Sequence, residues 1–79
     1  LLFYEFKVAW CKLCNQGWIE IVKEKGSEKL LLQCSECVSQ WDSVDYISNH
    51  IFKEDEVEVI EPTRKEIEKY GWYSYVLNE

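Results

Sequence analysis

Residues 11–37 read CKLCNQGWIEIVKEKGSEKLLLQCSEC, opening with Cys11-Lys12-Leu13-Cys14 and closing with Cys34-Ser35-Glu36-Cys37. These are the four cysteines of the chain. Two C-x-x-C pairs set apart by a hairpin length are the spacing of a tetrahedral four-thiolate metal site, most often one Zn²⁺. Such a site is closed, because four protein ligands leave no position for a substrate.

The residues between the pairs predict a β-hairpin. Trp18-Ile19-Glu20-Ile21-Val22 is β-branched and aromatic, Gly26-Ser27 is a two-residue turn signal, and Leu30-Leu31-Leu32 returns. Centring the turn on Gly26 and Ser27 sets Lys25 against Glu28 and Glu24 against Lys29, then Val22 against Leu31, Ile21 against Leu32 and Ile19 against Cys34. Charge and hydrophobicity agree on this register, which brings both cysteine pairs to the open end of the hairpin. Upstream, Phe3 to Trp10 is aromatic enough to add a third strand.

Two other chemistries compete for the cysteines. Two disulfides would suit a small secreted domain, but Leu1-Leu2-Phe3-Tyr4-Glu5-Phe6-Lys7 has no basic stretch followed by an apolar one. The absence of methionine is compatible with a longer natural N-terminus. Trp10-Cys11-Lys12-Leu13-Cys14 also looks like the thioredoxin W-C-x-x-C motif. There a helix should follow the second cysteine, whereas here Asn15-Gln16-Gly17 leads into a strand.

Residues 8–41 resemble a zinc ribbon, the group in which two knuckles on β-hairpin loops clamp zinc. The resemblance implies one structural Zn²⁺ on Cys11, Cys14, Cys34 and Cys37. It departs from the rubredoxin-type knuckle C-P-x-C-G, since Lys12 and Ser35 stand at the proline positions and Asn15 and Val38 at the glycine positions. Iron is therefore the less favoured metal, because those glycines let backbone amides approach the sulfurs.

Beyond Cys37 the composition changes. Asp42 is a candidate N-cap for a short helix carrying Val44, Ile47 and Ile51, with Asn49 at its end. Lys53 to Glu61 begins acidic and then alternates, predicting a strand with one face in solvent. Pro62 and Thr63 open a second helix, with Thr63 and Glu66 as a capping box and Gly71 just past the end. Trp72 to Leu77 is expected to form a closing strand. The fold class is α+β, with 1–79 as a single domain. Residues 1–41 form a zinc ribbon with a three-stranded sheet, and 42–79 an acidic helix-strand-helix-strand extension.

Charge divides the two halves more sharply than hydrophobicity does. The net charge is −6; residues 1–40 hold five acids and five lysines, whereas residues 41–79 hold ten acids against four bases. An acidic surface repels phosphate backbones and suits a basic protein. Glu54, Asp55, Glu56, Glu58 and Glu61 either form a solvated strand edge or, with Trp72, Tyr73 and Tyr75, a surface that docks a partner. The expected activity is non-enzymatic protein binding. Small acidic bacterial immunity proteins, which mask basic nuclease toxins, are similar in charge, and Pro62 to Trp72 has the look of their short C-terminal helix and Gly-Trp.

The second reading is a nucleic-acid-binding zinc ribbon, using Tyr4, Phe6, Trp10 and Trp18 interleaved with Lys7, Lys12, Lys23, Lys25 and Lys29. A third is a redox or metal-sensing module. His50 is the one histidine and is read as structural, and no hydrolase, metalloprotease, P-loop or dinucleotide motif is present. No run reaches the roughly 18 apolar residues of a membrane span, so a cytoplasmic protein is expected.

Overall fold

A computed structural model describes residues 6–37, 39–49, 51 and 57–77 of the chain. Among them an antiparallel sheet runs β1 (Lys7–Trp10), β2 (Trp18–Glu24), β3 (Leu30–Cys34) and β4 (Gln40–Trp41) in that order, and β5 (Val59–Ile60) also pairs with β2. The helices are α1 (Val44–Ser48) and α2 (Arg64–Tyr70), and a 3-10 turn spans Tyr73–Tyr75. A small mainly antiparallel sheet with short helices is thus the α+β arrangement expected, although with more strands than the three predicted for the ribbon.

The hairpin register is the one its sequence dictates: Ile19 opposes Cys34, Ile21 opposes Leu32 and Val22 opposes Leu31. The turn differs. Glu24 donates its amide to the Lys29 carbonyl at 2.9 Å and Ser27 donates to the Glu24 carbonyl at 3.2 Å, so a four-residue loop replaces the two-residue one. Gly26 supplies its left-handed residue, φ +86°. The Lys25 amide, no longer opposite Glu28, donates instead to Glu58 at 2.9 Å.

The expected cross-strand charge pairs are replaced by longer-range ones. Lys29 reaches Asp42 at 3.1 Å, Lys25 lies 3.9 Å from Glu58, and Lys23 pairs with Glu66. Each of these joins a ribbon lysine to an acid of the second half. The competing partners were too far along the chain for a local pairing rule to find.

Alternation on the hairpin sets the core. Ile19 and Ile21 of β2 share a face with Leu30, Leu32 and Cys34 of β3 and Trp41 of β4, and all are buried. Phe6 joins them, and Ile67 of α2 and Val76 cover this face from the second half. The opposite face carries Leu31, Gln33 and Gln40. There the Gln40 amide donates to Gln33 at 2.8 Å and to the Val57 carbonyl at 2.9 Å, while Val57 N–H donates back at 3.1 Å. Two residues later Val59 pairs with Glu24. The chain between is held at β4 on one side and at the far edge of β2 on the other.

The helix signals differ in how well they read. For α2 the capping box is complete: Glu66 N–H donates to Thr63 Oγ1 at 3.2 Å, and Thr63 N–H donates to Glu66 Oε1 at 2.8 Å. Gly71 is left-handed, and Gly71 and Trp72 donate to the carbonyls of Glu68 and Ile67, which closes the helix as a Schellman motif. For α1 the N-cap is Ser43, whose hydroxyl accepts from Asp45 N–H, and not Asp42, which is engaged with Lys29. Asn49 does end it, leaving Ile51 beyond the helix and exposed.

The closing strand is not formed. Tyr75 and Val76 donate to the carbonyls of Trp72 and Tyr73, the i to i+3 bonds of a 3-10 turn. A three-residue period puts Tyr73 and Val76 on one inward side, and both pack on the core. Leu77 then donates its amide to the Lys7 carbonyl at 2.9 Å. Among the described residues, no helix is long and apolar enough to cross a membrane.

Candidate metal centre

The four cysteines converge. Cys11 follows β1, Cys34 ends β3, and antiparallel pairing of β2 with both strands carries them to one end of the sheet. The Sγ atoms of Cys11, Cys14, Cys34 and Cys37 all lie within 4.8 Å of one another. Cys11 and Cys37 are 3.8 Å apart, and Cys14 and Cys34 are 3.6 Å apart. With metal–sulfur bonds of about 2.3 Å, a tetrahedral tetrathiolate site has sulfur–sulfur edges of about 3.8 Å. The chain therefore positions four cysteines to coordinate a metal ion, and a disulfide, at about 2.05 Å, is not the geometry observed.

Each knuckle is shaped by a residue that the C-x-x-C pattern does not name. In the first, Asn15 donates its amide to the Cys11 carbonyl at 3.0 Å and adopts φ +56°. It fills the position at which rubredoxin-type knuckles have glycine, and asparagine is the residue that tolerates this conformation best after glycine. Its side-chain oxygen accepts from Trp10 Nε1 at 2.7 Å, fixing the tryptophan over the loop. In the second knuckle Glu36 and Cys37 direct their amides at Cys34 Sγ, each at 3.4 Å. Amides thus reach a sulfur without the glycines, so their absence does not separate zinc from iron; Val38 itself lies outside the described residues.

Gly17 lets the knuckles close on each other. A Cβ there would stand 2.6 Å from Glu36 Cγ and 2.7 Å from Ser35 Oγ. Beside it Trp18 N–H donates to Ser35 Oγ at 3.1 Å and Ser35 N–H donates to the Trp18 carbonyl at 2.9 Å. Gly17, Asn15 and Ser35 are functional positions that sequence reading passed over. Their signal was present in the unusual residues at a knuckle glycine position (Asn15) and a knuckle proline position (Ser35), and in the lone glycine before β2.

The thiols are electrostatically unequal. Burial pushes the Cys34 thiol up to about 12. Burial acts the same way on Cys37, but hydrogen bonds from Ser39 and contacts with Cys34 and Cys11 outweigh it and bring that thiol down to about 7. The Ser39 hydroxyl lies 3.5 Å from Cys37 Sγ. Sulfurs this close, two of them buried and two partly exposed, cannot all carry charge without a cation among them, which is the service a divalent metal performs.

The other predicted site residues are more scattered. Glu54, Asp55 and Glu56 lie outside the described residues, as do Tyr4 and His50. Glu58 and Glu61 are exposed, Glu58 facing Lys25. Trp72 and Tyr73 are half-buried against the core, with Trp72 edge-on to Tyr70 at 4.8 Å and the Arg64 guanidinium 4.7 Å from the Tyr73 ring centre. Of the three aromatics only Tyr75 is exposed, at 44%. A cavity of about 370 Å³ opens beside the first knuckle, where Ile19, Trp41 and Ile47 contribute apolar wall and Lys12 and Ser48 the charged and hydroxyl side chains.

No family model matches this chain, and neither a curated protein nor a solved structure matches it.

Proposed function

We propose that the chain is a non-catalytic protein whose fold is stapled by one structural zinc ion and whose acidic surface binds a basic protein, as an immunity protein masks a nuclease toxin. The carrying observation is the fate of the lysines. Lys23, Lys25 and Lys29 are paired with Glu66, Glu58 and Asp42 of the second half, and Lys7 lies over the Trp18 ring at 5.4 Å. Four of the ribbon's five lysines are thus engaged within the molecule, leaving Lys12 exposed at the first knuckle, and the net excess of acid remains for a partner. That pairing counts against the nucleic-acid reading, which needs those lysines and aromatics on one open face.

The metal set supports the absence of catalysis. Cys11, Cys14, Cys34 and Cys37 would hold zinc in a closed tetrathiolate, contributing folding free energy and charge neutralisation with no open position. The test has two arms. Metal analysis of the purified chain should give one zinc per chain, without the visible absorption of an iron tetrathiolate. The product of the neighbouring coding sequence, if it is a basic nuclease, should bind the chain and lose activity. Neutralising Glu54, Asp55, Glu56 and Glu58 together should then weaken binding at least tenfold at physiological salt. Retention on phosphocellulose with steep salt dependence would instead favour nucleic acid.

A further inference from the structure

Two thiol contacts shorter than 4 Å run between the knuckles. Cys14 faces Cys34 at 3.6 Å across 20 residues of sequence, and Cys11 faces Cys37 at 3.8 Å across 26. These are opposite edges of the sulfur tetrahedron, sharing no atom, so both can close together. Each needs the sulfurs to approach by roughly 1.6–1.8 Å to reach disulfide length.

We infer that the cluster has a second covalent state, in which a peroxide converts the metal centre into two crossed disulfides, Cys14–Cys34 and Cys11–Cys37, that hold the knuckles together without metal. For the tetrathiolate zinc complex, of charge −2, two molecules of hydrogen peroxide and four protons yield two disulfides, Zn²⁺ and four waters. In each half-reaction two thiolates are oxidised to one disulfide and the peroxide oxygen–oxygen bond is reduced to water. Attack begins at Cys14 or Cys37, which are partly exposed, and the buried Cys34 or Cys11 resolves it.

The pairing decides the consequence. Disulfides within the knuckles, Cys11–Cys14 and Cys34–Cys37, would leave the two loops unconnected, whereas crossed disulfides replace the metal as the link between them. Ser35 and Trp18 already bind the second knuckle to β2 by two hydrogen bonds, so the loops are held in register while the metal leaves. The oxidised chain is therefore a metal-free form of the same scaffold.

The sequence makes the pairing readable. Trypsin cuts after Lys12, separating Cys11 from Cys14, and glutamyl endopeptidase cuts after Glu36, separating Cys34 from Cys37. The zinc-loaded chain is treated with hydrogen peroxide, zinc release is followed with a chromophoric chelator, and the product is digested without reductant for mass spectrometry. The expected result is loss of four hydrogens relative to the reduced metal-free chain, peptides joined Cys14–Cys34 and Cys11–Cys37, and retained amide protection in β2 and β3. Intra-knuckle pairing, sulfinic acids in place of disulfides, or loss of that protection on oxidation would overturn the inference. As a second measurement, the metal-free double variant C14S/C34S should regain protection on oxidation by closing Cys11–Cys37. The variant C34S/C37S, left with Cys11 and Cys14, should not; equal recovery in both would also overturn it.

Discussion

At the scale of single residues, the site depends on positions that carry no ligand. Gly17 is the clearest, because the knuckles pass so closely there that a methyl group meets Glu36 and Ser35 below 3 Å. Gly17→Ala is expected to cost about 1–3 kcal/mol through overpacking and to weaken zinc binding measurably in a chelator competition. Asn15 tests conformation instead of space. Asn15→Gly keeps the left-handed residue and should change zinc affinity little beyond the loss of the Trp10 hydrogen bond, whereas Asn15→Val should cost about 1–3 kcal/mol of backbone strain. If the valine variant binds zinc as the glycine variant does, the knuckle does not need that conformation. The cysteines were legible from sequence because ligand chemistry demands a residue type at a spacing. Gly17 was not, because its role arises only where two distant loops meet.

Among the elements, α2 and β2 offer the sharpest tests. The α2 caps are local devices, and local devices read well: Thr63, Glu66 and Gly71 all stand where the sequence set them. Thr63→Ala should cost about 1 kcal/mol in chemical denaturation, the ordinary loss of an N-cap. On β2, Glu20 is half-buried on the sheet face shared with Gln33, and burial together with the Glu61 charge raises its carboxyl to about 6. A carboxyl whose folded pKa exceeds its unfolded value binds its proton more tightly in the native state. It therefore destabilises the fold at pH 7, and the penalty disappears as pH falls through 6 towards 4.5. Zinc-saturated Glu20→Gln should exceed the parent in stability by about 1 kcal/mol at pH 7.5, after discounting for solvent around the half-exposed group. The gap should shrink as pH falls below 6 and close only below the unfolded value of 4.5, and a gap independent of pH would refute the assignment. Glu66 shifts the opposite way, lowered by its bond to Lys23 and the Thr63 amide, so its contribution is present above the ordinary carboxylate value and is lost progressively as pH falls from there through the lowered one.

Taken as a whole molecule, the chain is a small core closed at one end by the cysteines and covered on its inner face by α2 and the 3-10 turn. A chain of this size seldom supplies more than about 3–5 kcal/mol from its core alone. Apparent zinc binding in small modules amounts to roughly 10–16 kcal/mol. Chelation is accordingly expected to unfold the reduced protein, with loss of near-ultraviolet circular dichroism and of amide protection in β2 and β3, and zinc to restore both. A chelated, reduced chain that keeps its protection would mean that the core suffices. The charges of the two halves matter at this scale too. Lys23, Lys25 and Lys29 tie the ribbon to acids drawn from α1, β5 and α2 or their flanks, so what reads along the chain as a neutral half and an acidic half is joined by three separate ion pairs.

The sequence by itself determined whatever depends on short spacing. The C-x-x-C pairs, the hairpin register from Ile19 to Leu32 and the capping box at Thr63 need only neighbours a few residues apart, or a partner fixed by one turn. Tertiary structure decided what depends on competition between distant groups. It placed the acids that the lysines choose and routed the chain over the Gln40 side of the sheet. It also wound Trp72 to Val76 into a 3-10 turn, because Tyr73 and Val76 bury together at a three-residue period while a strand's alternation would have left one of them in solvent. It fixed the knuckle geometry, too, where Asn15 and Gly17 do work that no spacing rule assigns, since only the approach of two loops creates the constraint they satisfy.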